Sequence, residues 1–231
     1  MMLLAGSFLA ACTSDEETAS PDGYDAEYQI KYYNQPPYTD LSQGYWFEDE
    51  RVKVFFKFTA NTKTPFELLV CPRNDRGRKT LMYMAEKEGG IIQKMNHYVY
   101  RFSNYPHQSQ SRDSVDYYYV TTTQYFECPD LYVSDNYYCP ECGFGDSYGN
   151  VFPLITVRLK EGADIKKIES KYKNVMTLRG VQDWENFGTH YDFYCSLNNS
   201  YQVLRLNEEL YNRDDVAYSA VDLHSPAFSI W

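Results

Sequence analysis

Cysteine is the residue type whose number and spacing could do the most chemistry in this chain. Six occur: Cys12, Cys71, Cys128, Cys139, Cys142 and Cys195. The run Cys139-Pro-Glu-Cys142 places two thiols on one tight turn, where a pair of thiolates can grip a metal. A structural zinc needs four ligands, and there is no second CxxC. Cys71 and Cys128, each followed by proline, could complete the set. The same four thiols could instead form disulfides, or stay free or redox-active. A thioredoxin-like dithiol would sit between a strand and a helix, and no such pattern surrounds Cys139. With Cys12 set apart, five cysteines remain, so at least one stays unpaired within a monomer. Cys195 is expected to be that thiol, because alternation places it with Phe193 and Leu197 on an apolar face.

Other reactive residue types form no catalytic pattern. The histidines are His97, His107, His190 and His224, and none lies in HExxH. GxSxG and phosphate-loop sequences are absent. Gly143-Phe-Gly-Asp-Ser-Tyr-Gly149 is glycine-rich but follows a Cys-rich stretch rather than an apolar strand, so it reads as a turn. Asp183 and Glu185 flank Trp184 in a polar stretch and read as solvated carboxylates, with His190 at a strand edge. The expectation is a non-catalytic binding role with no cofactor, unless the thiols hold a structural zinc.

Composition narrows the partners. Acidic residues number 32 against 22 basic, for a net charge of −10. Phosphate recognition needs clustered Lys and Arg, so nucleic acid is not an expected partner. Tyrosines number 24 and phenylalanines 13, which favours pleated, half-buried surfaces. Clustered tyrosines could also bind a glycan through flat rings with polar tips. A half-buried sheet is the simpler account of them.

The chain start carries a targeting pattern. Residues 3–11 are apolar and too few to span a bilayer, which takes about 20 residues. They fit the apolar region of a signal peptide. The end of this run, Leu9-Ala10-Ala11-Cys12, resembles a bacterial lipobox, in which a Cys is lipidated and becomes the mature N-terminus. No Lys or Arg precedes the apolar run, a departure from the usual pattern. The following Thr13-Ser-Asp-Glu-Glu-Thr18 resembles the export signal of Bacteroides-type surface lipoproteins. This resemblance implies a signal peptide over 1–11, lipidation at Cys12, a flexible tether over 12–27 and a cell-surface position on the outer membrane. An exported location permits disulfides. Pro21 and Gly23 suit a linker.

The elements that must position these residues follow from periodicity. Residues 28–150 read as a Tyr-rich, mainly β region, with strands expected at 28–33, 51–59, 66–71, 97–102, 116–121 and 124–127. One helix is expected within 78–95, on the spacing of Leu81, Met84 and Ala85, ending near Gly89-Gly90. Residues 103–113 and 134–150 read as loops.

Residues 151–231 read as a second region. Strands are expected at 154–159, 174–179, 190–197 and 216–222, with helices at 163–173 and 200–212 and a loop at 180–189. Asn198 and Asn199 can cap the second helix. The order β-α-β-β-α-β is that of a ferredoxin-like domain, so the fold class is expected to be α+β. Val157-Arg-Leu-Lys-Glu-Gly162 before a helix, and Ala220-Val-Asp-Leu223, loosely resemble the propeptide of subtilisin-like proteases. This resemblance covers about a third of the chain. It implies chaperoning or inhibition of a protease, with the segment from Leu223 through Pro226 and Phe228 to Trp231 facing the cleft as an added strand. A glycan- or nutrient-uptake accessory lipoprotein and a structural envelope component are the alternatives.

Overall fold

The computed structural model describes residues 30–38, 40–46, 53–87, 91–101, 114–138, 148–184 and 188–224. The chain is a strand-dominated α+β protein whose sheets are antiparallel. Three strands open it: β1 (Lys31–Tyr33), β2 (Asp40–Trp46) and β3 (Lys53–Ala60). After β4 (Phe66–Pro72) comes helix α1 (Asp75–Lys87), then β5 (Ile92–Arg101), β6 (Ser114–Thr122), β7 (Tyr125–Glu127), β8 (Leu131–Ser134) and β9 (Asn136–Tyr138). The last third comprises β10 (Tyr148–Leu159), α2 (Ile165–Tyr172), β11 (Met176–Trp184), β12 (Gly188–Cys195), α3 (Ser200–Tyr211) and β13 (Val216–His224).

Two sheets build most of the molecule. One has four strands in the order β5-β6-β4-β8. The other has seven, and its centre is the long strand β10. β10 pairs with β13 along one edge. Along the other it pairs with β9 through Tyr148–Asn150 and with β12 through Leu154–Arg158. The residues on either side of position 150 therefore belong to one strand. A small third sheet pairs β1 with β7.

Alternation along β10 and β12 decides the layering. Ile155, Val157 and Phe193 point to one face and are buried beside Val203 and Leu210 of α3 and Ile168 of α2. Leu154, Thr156, Tyr194 and Asp192 occupy the opposite face, as their pairing register requires. A second core cluster joins the other face of the four-stranded sheet to α1, through Leu68, Val70, Leu81, Met84, Val120 and Phe126. Each fully buried Leu or Phe of these clusters adds about 1.5–3 kcal/mol relative to exposure.

Local signals explain the helices. Asn199 caps α3 by accepting from the Gln202 amide at 3.0 Å, and Val203, Leu206 and Leu210 form its buried stripe. Asp164 caps α2 in the same way through the Lys166 amide at 2.9 Å. α2 and α3 are tied by Glu209, whose carboxylate accepts from Lys171 at 2.8 Å and from the Tyr172 hydroxyl at 2.7 Å.

Several boundaries differ from the sequence expectations. The helix expected within 78–95 begins earlier, at Asp75, because Asn74 caps it, and β5 already starts at Ile92. The stretch 180–189 is not a loop: β11 and β12 extend into a hairpin through Trp184 and Gly188, where Gly188 takes a positive φ of 76°. The stretch 134–150 holds β9 and the start of β10, and β2 lies in a stretch without clear alternation.

Candidate functional site

A groove of about 480 Å³ opens where the four-stranded sheet meets β11 and β12. Its lining combines Arg73, Asn74, Asp75 and Arg78 from the start of α1 with Ser114, Val115 and Asp116 from β6. Arg179 and Tyr194 close the far side.

The turn between β4 and α1 is built rigidly. The Arg73 amide donates to the Asp130 carbonyl at 3.0 Å. Asn74 accepts from the Gly77 amide at 2.8 Å and donates to the Asp130 carboxylate at 2.7 Å. A β-carbon on Gly77 would lie 2.1 Å from the Asp130 carbonyl oxygen, so the helix approaches that turn only because position 77 has no side chain. The Arg73 guanidinium donates to the Ser196 carbonyl at 2.9 Å, to the Pro129 carbonyl at 3.2 Å and to the Asn198 side chain. It therefore bolts α1's entry to the segment leading into α3.

The opposite wall is ionic. Arg78 pairs with Asp116 at 2.6 Å and lies 3.7 Å from Asp75, and His97 stands 3.5 Å from Asp116. Arg179 is the extra residue of the register shift between Leu178 and Gly180, and this bulge carries its guanidinium over the Tyr194 ring, 5.8 Å from the centroid. Burial pushes the Tyr194 phenol up to about 12, so it stays a neutral donor. The groove thus presents guanidinium, carboxylate and phenol groups held in fixed positions. Such a surface recognises a polar ligand by hydrogen bonds and charge.

A second polar centre joins the sheets. Asp192 accepts from Thr156 at 2.7 Å and from Gln182 at 2.5 Å. Asp222 accepts from Tyr100 of the facing sheet. Burial raises both the Asp222 carboxyl and the Tyr100 phenol, with the neighbouring acids adding to the effect. These groups satisfy one another and work as an interface between sheets.

The described tyrosines are mostly half-buried, and several are core residues. Tyr117, Tyr118, Tyr125, Tyr132 and Tyr137 are buried, and Tyr98 is the exposed ring among the described tyrosines, at 37%. Tyr98 stacks on Tyr117 with centroids 5.4 Å apart, and Tyr117 meets Phe152 edge-on at 5.0 Å.

Residues singled out by spacing disperse. Cys71 is buried in the core cluster shared with β10, and Cys128 in the cluster beneath α1. The two thiols lie on opposite faces of the four-stranded sheet, so they do not converge on one centre. Burial raises the Cys71 and Cys195 thiols, and Cys195 lies free and buried on the Phe193 face. Cys12, Cys139 and Cys142 lie outside the described residues. Among those described, no group of His, Cys, Asp or Glu is placed to hold a metal. Leu223 is half-buried on β13, while Pro226, Phe228 and Trp231 lie outside the described residues. Asp183 accepts from Thr189 across the hairpin, and Glu185 lies outside the described residues.

Sequence reasoning passed over Arg73, Arg78, Asp116, Arg179 and Tyr194. One signal was present: Arg73-Asn-Asp-Arg-Gly-Arg78 places three arginines around a helix-capping pair. The bulge that aims Arg179 has no signature in the sequence. Comparison with protein-family models, with curated proteins and with solved structures finds no match to the chain.

Proposed function

We propose that the chain is an exported bacterial lipoprotein, anchored to the outer membrane through Cys12 and displayed at the cell surface, which binds a polypeptide segment of another envelope protein without catalysis. The anchor reading rests on Leu9-Ala10-Ala11-Cys12 and the acidic residues after it. No helix among the described residues is long and apolar enough to cross a membrane, which suits attachment by lipid. The binding reading is carried by the groove, whose fixed charges of both signs suit a peptide with acidic and basic side chains. The net charge of −10 disfavours nucleic acid. Tyr98 is the exposed ring among the described tyrosines and the others are buried or half-buried, which disfavours the glycan reading, since that needs a solvent-facing row of rings. The proposed role needs no cofactor; a structural zinc at Cys139 and Cys142 would be an addition to it.

The test has two arms. Intact mass of the membrane-extracted protein should show an acylated N-terminal Cys12, abolished by Cys12→Ala. A peptide array should give sequence-dependent binding that Arg179→Ala and Tyr194→Ala weaken at least tenfold. An unprocessed N-terminus defeats the first arm. Binding that is absent, or indifferent to both variants, defeats the second.

A narrower second reading has its own support. The last four strands pair in the order β13-β10-β12-β11, an order that supports the ferredoxin-like reading, and the propeptide resemblance falls on that unit. Among the described strands β13 pairs only with β10, so the sheet has an edge there, and a strand exchanged with a protease cleft is what the resemblance implies for the segment from Leu223 to Trp231. The full chain should then slow a subtilisin-like protease at micromolar concentration. A panel of such enzymes running at unchanged rate would remove this reading.

A further inference from the structure

Asp135, between β8 and β9, is a carboxylate that the groove does not use, and it is only 2% exposed. The Tyr137 hydroxyl lies 3.4 Å from its Oδ2 and 2.7 Å from Oγ of Ser200, the first residue of α3. Its Oδ1 has no hydrogen-bond partner among the described residues, and neither does the buried hydroxyl of its neighbour Tyr125. Beside them, Glu127 of β7 accepts from the capping residue Asn199 at 3.0 Å and from the Tyr33 hydroxyl at 3.1 Å. Two carboxylates, one on β7 and one between β8 and β9, therefore close on the start of α3.

The groups facing Asp135 are few. β7 contributes Tyr125 and Glu127, β9 contributes Tyr137, and α3 contributes Ser200, with no acidic residue in its first turn. The charge acting on Asp135 is the like charge of Glu127, and no cation offsets it among the described residues. A carboxylate ion here would be dry, unpaired and short of donors, a costly state. The neutral acid, by contrast, brings no charge into the dry pocket, and its Oδ2 still accepts from Tyr137.

We propose that Asp135 is a proton-operated clamp: as the neutral acid it lies dry beneath the start of α3, beside Tyr137 and Ser200, and loss of its proton draws solvent to the carboxylate and releases segment 196–203. Burial supports this by pushing the carboxyl up to about 8 from 3.8, with Glu127 adding to the rise and Tyr137 pulling against it. The release would reach the groove, because Ser196 and Asn198 hold Arg73. That last extension rests on the binding reading above. The clamp itself does not.

The sign follows from linkage. The folded chain keeps the proton that the unfolded chain loses near 3.8, so this contribution to stability is complete below that value. It drains away as pH rises to about 8, by up to about tenfold in the unfolding constant per pH unit.

Carbon-13 titration of the Asp135 carboxyl in the full chain reads the clamp directly. A midpoint between about 7 and 9 supports it, and one below about 5 overturns it. Hydrogen exchange, corrected for its intrinsic pH dependence, reads the consequence. Protection of the Gln202 and Val203 amides should fall by up to about tenfold per pH unit between 3.8 and that midpoint, and level off above it, in the native sequence. It should stay level in Asp135→Asn, while Asp222→Asn, at the other buried acid, should behave as native. The same fall in Asp135→Asn overturns the proposal. If that variant does not fold, the titration of the native chain decides alone. Tyr137→Phe removes a donor that favours the carboxylate and should raise the midpoint. A midpoint lowered in Tyr137→Phe overturns the assigned surroundings of Asp135.

Discussion

Arg73 reaches across 123 positions of chain to donate to the Ser196 carbonyl at 2.9 Å. One guanidinium thereby joins the end of β4 to the segment that starts α3, two parts of the chain whose contact no local pattern announces. The groove exists because this bridge fixes one of its walls.

Replacing that bridge should be costly. Arg73→Ala removes charged hydrogen bonds to Pro129, Ser196 and Asn198 and leaves their oxygens short of a donor. A loss of about 2–3 kcal/mol is expected from urea unfolding. Arg73→Lys should recover less than half of it, because a point charge cannot span three acceptors in a fork. A variant as stable as the native chain would show the bridge to be ornamental.

Gly77→Ala tests the close approach of α1 to the Asp130 turn. The added carbon would sit 2.1 Å from a backbone oxygen, so helix or turn must move. A destabilisation of about 2–3 kcal/mol is expected, opposite to the usual gain from Gly→Ala inside a helix. A neutral or stabilising result in thermal unfolding would contradict the packing at this point.

Buried thiols should be inert. Cys71, Cys128 and Cys195 are buried, and burial raises the Cys71 and Cys195 thiols further from the reactive thiolate. Alkylation followed by mass spectrometry should leave these three unmodified at pH 8 in the folded protein and modify all of them in denaturant. Rapid labelling of any of them under native conditions would mean that the core around it opens.

Tyr132 joins the two sheets by donating to the Val151 carbonyl at 2.7 Å inside the core. Tyr132→Phe keeps the ring and removes the donor. The stranded carbonyl should cost about 1–3 kcal/mol in chemical denaturation. A change below about 0.5 kcal/mol would indicate that another donor takes over.

The legible parts of the fold were those in which pattern and contact coincide. The stripe Val203, Leu206 and Leu210 and the cap at Asn199 were readable because a helix repeats every 3.6 residues and caps itself with a neighbouring side chain. Cys195 was readable as a buried thiol because strand alternation places it with Phe193. The Asp183 and Trp184 stretch misled because polar residues on a hairpin resemble a loop, and only pairing with Thr189 and Gly188 makes it a strand. Cys71 and Cys128 shared a Cys-Pro spelling, yet two faces of one sheet separate them.

By itself the sequence determined the α+β class, the order of elements in the last third, the cap of α3, and which strand faces are apolar, since these depend on residues a few positions apart. Tertiary structure alone decided that β10 serves β9, β12 and β13 together, that several tyrosines fill the core, and that Arg73, Arg78, Asp116, Arg179 and Tyr194 share one groove. Those outcomes depend on which distant strands pair and where a bulge falls, and that choice is made by burial summed over the whole chain.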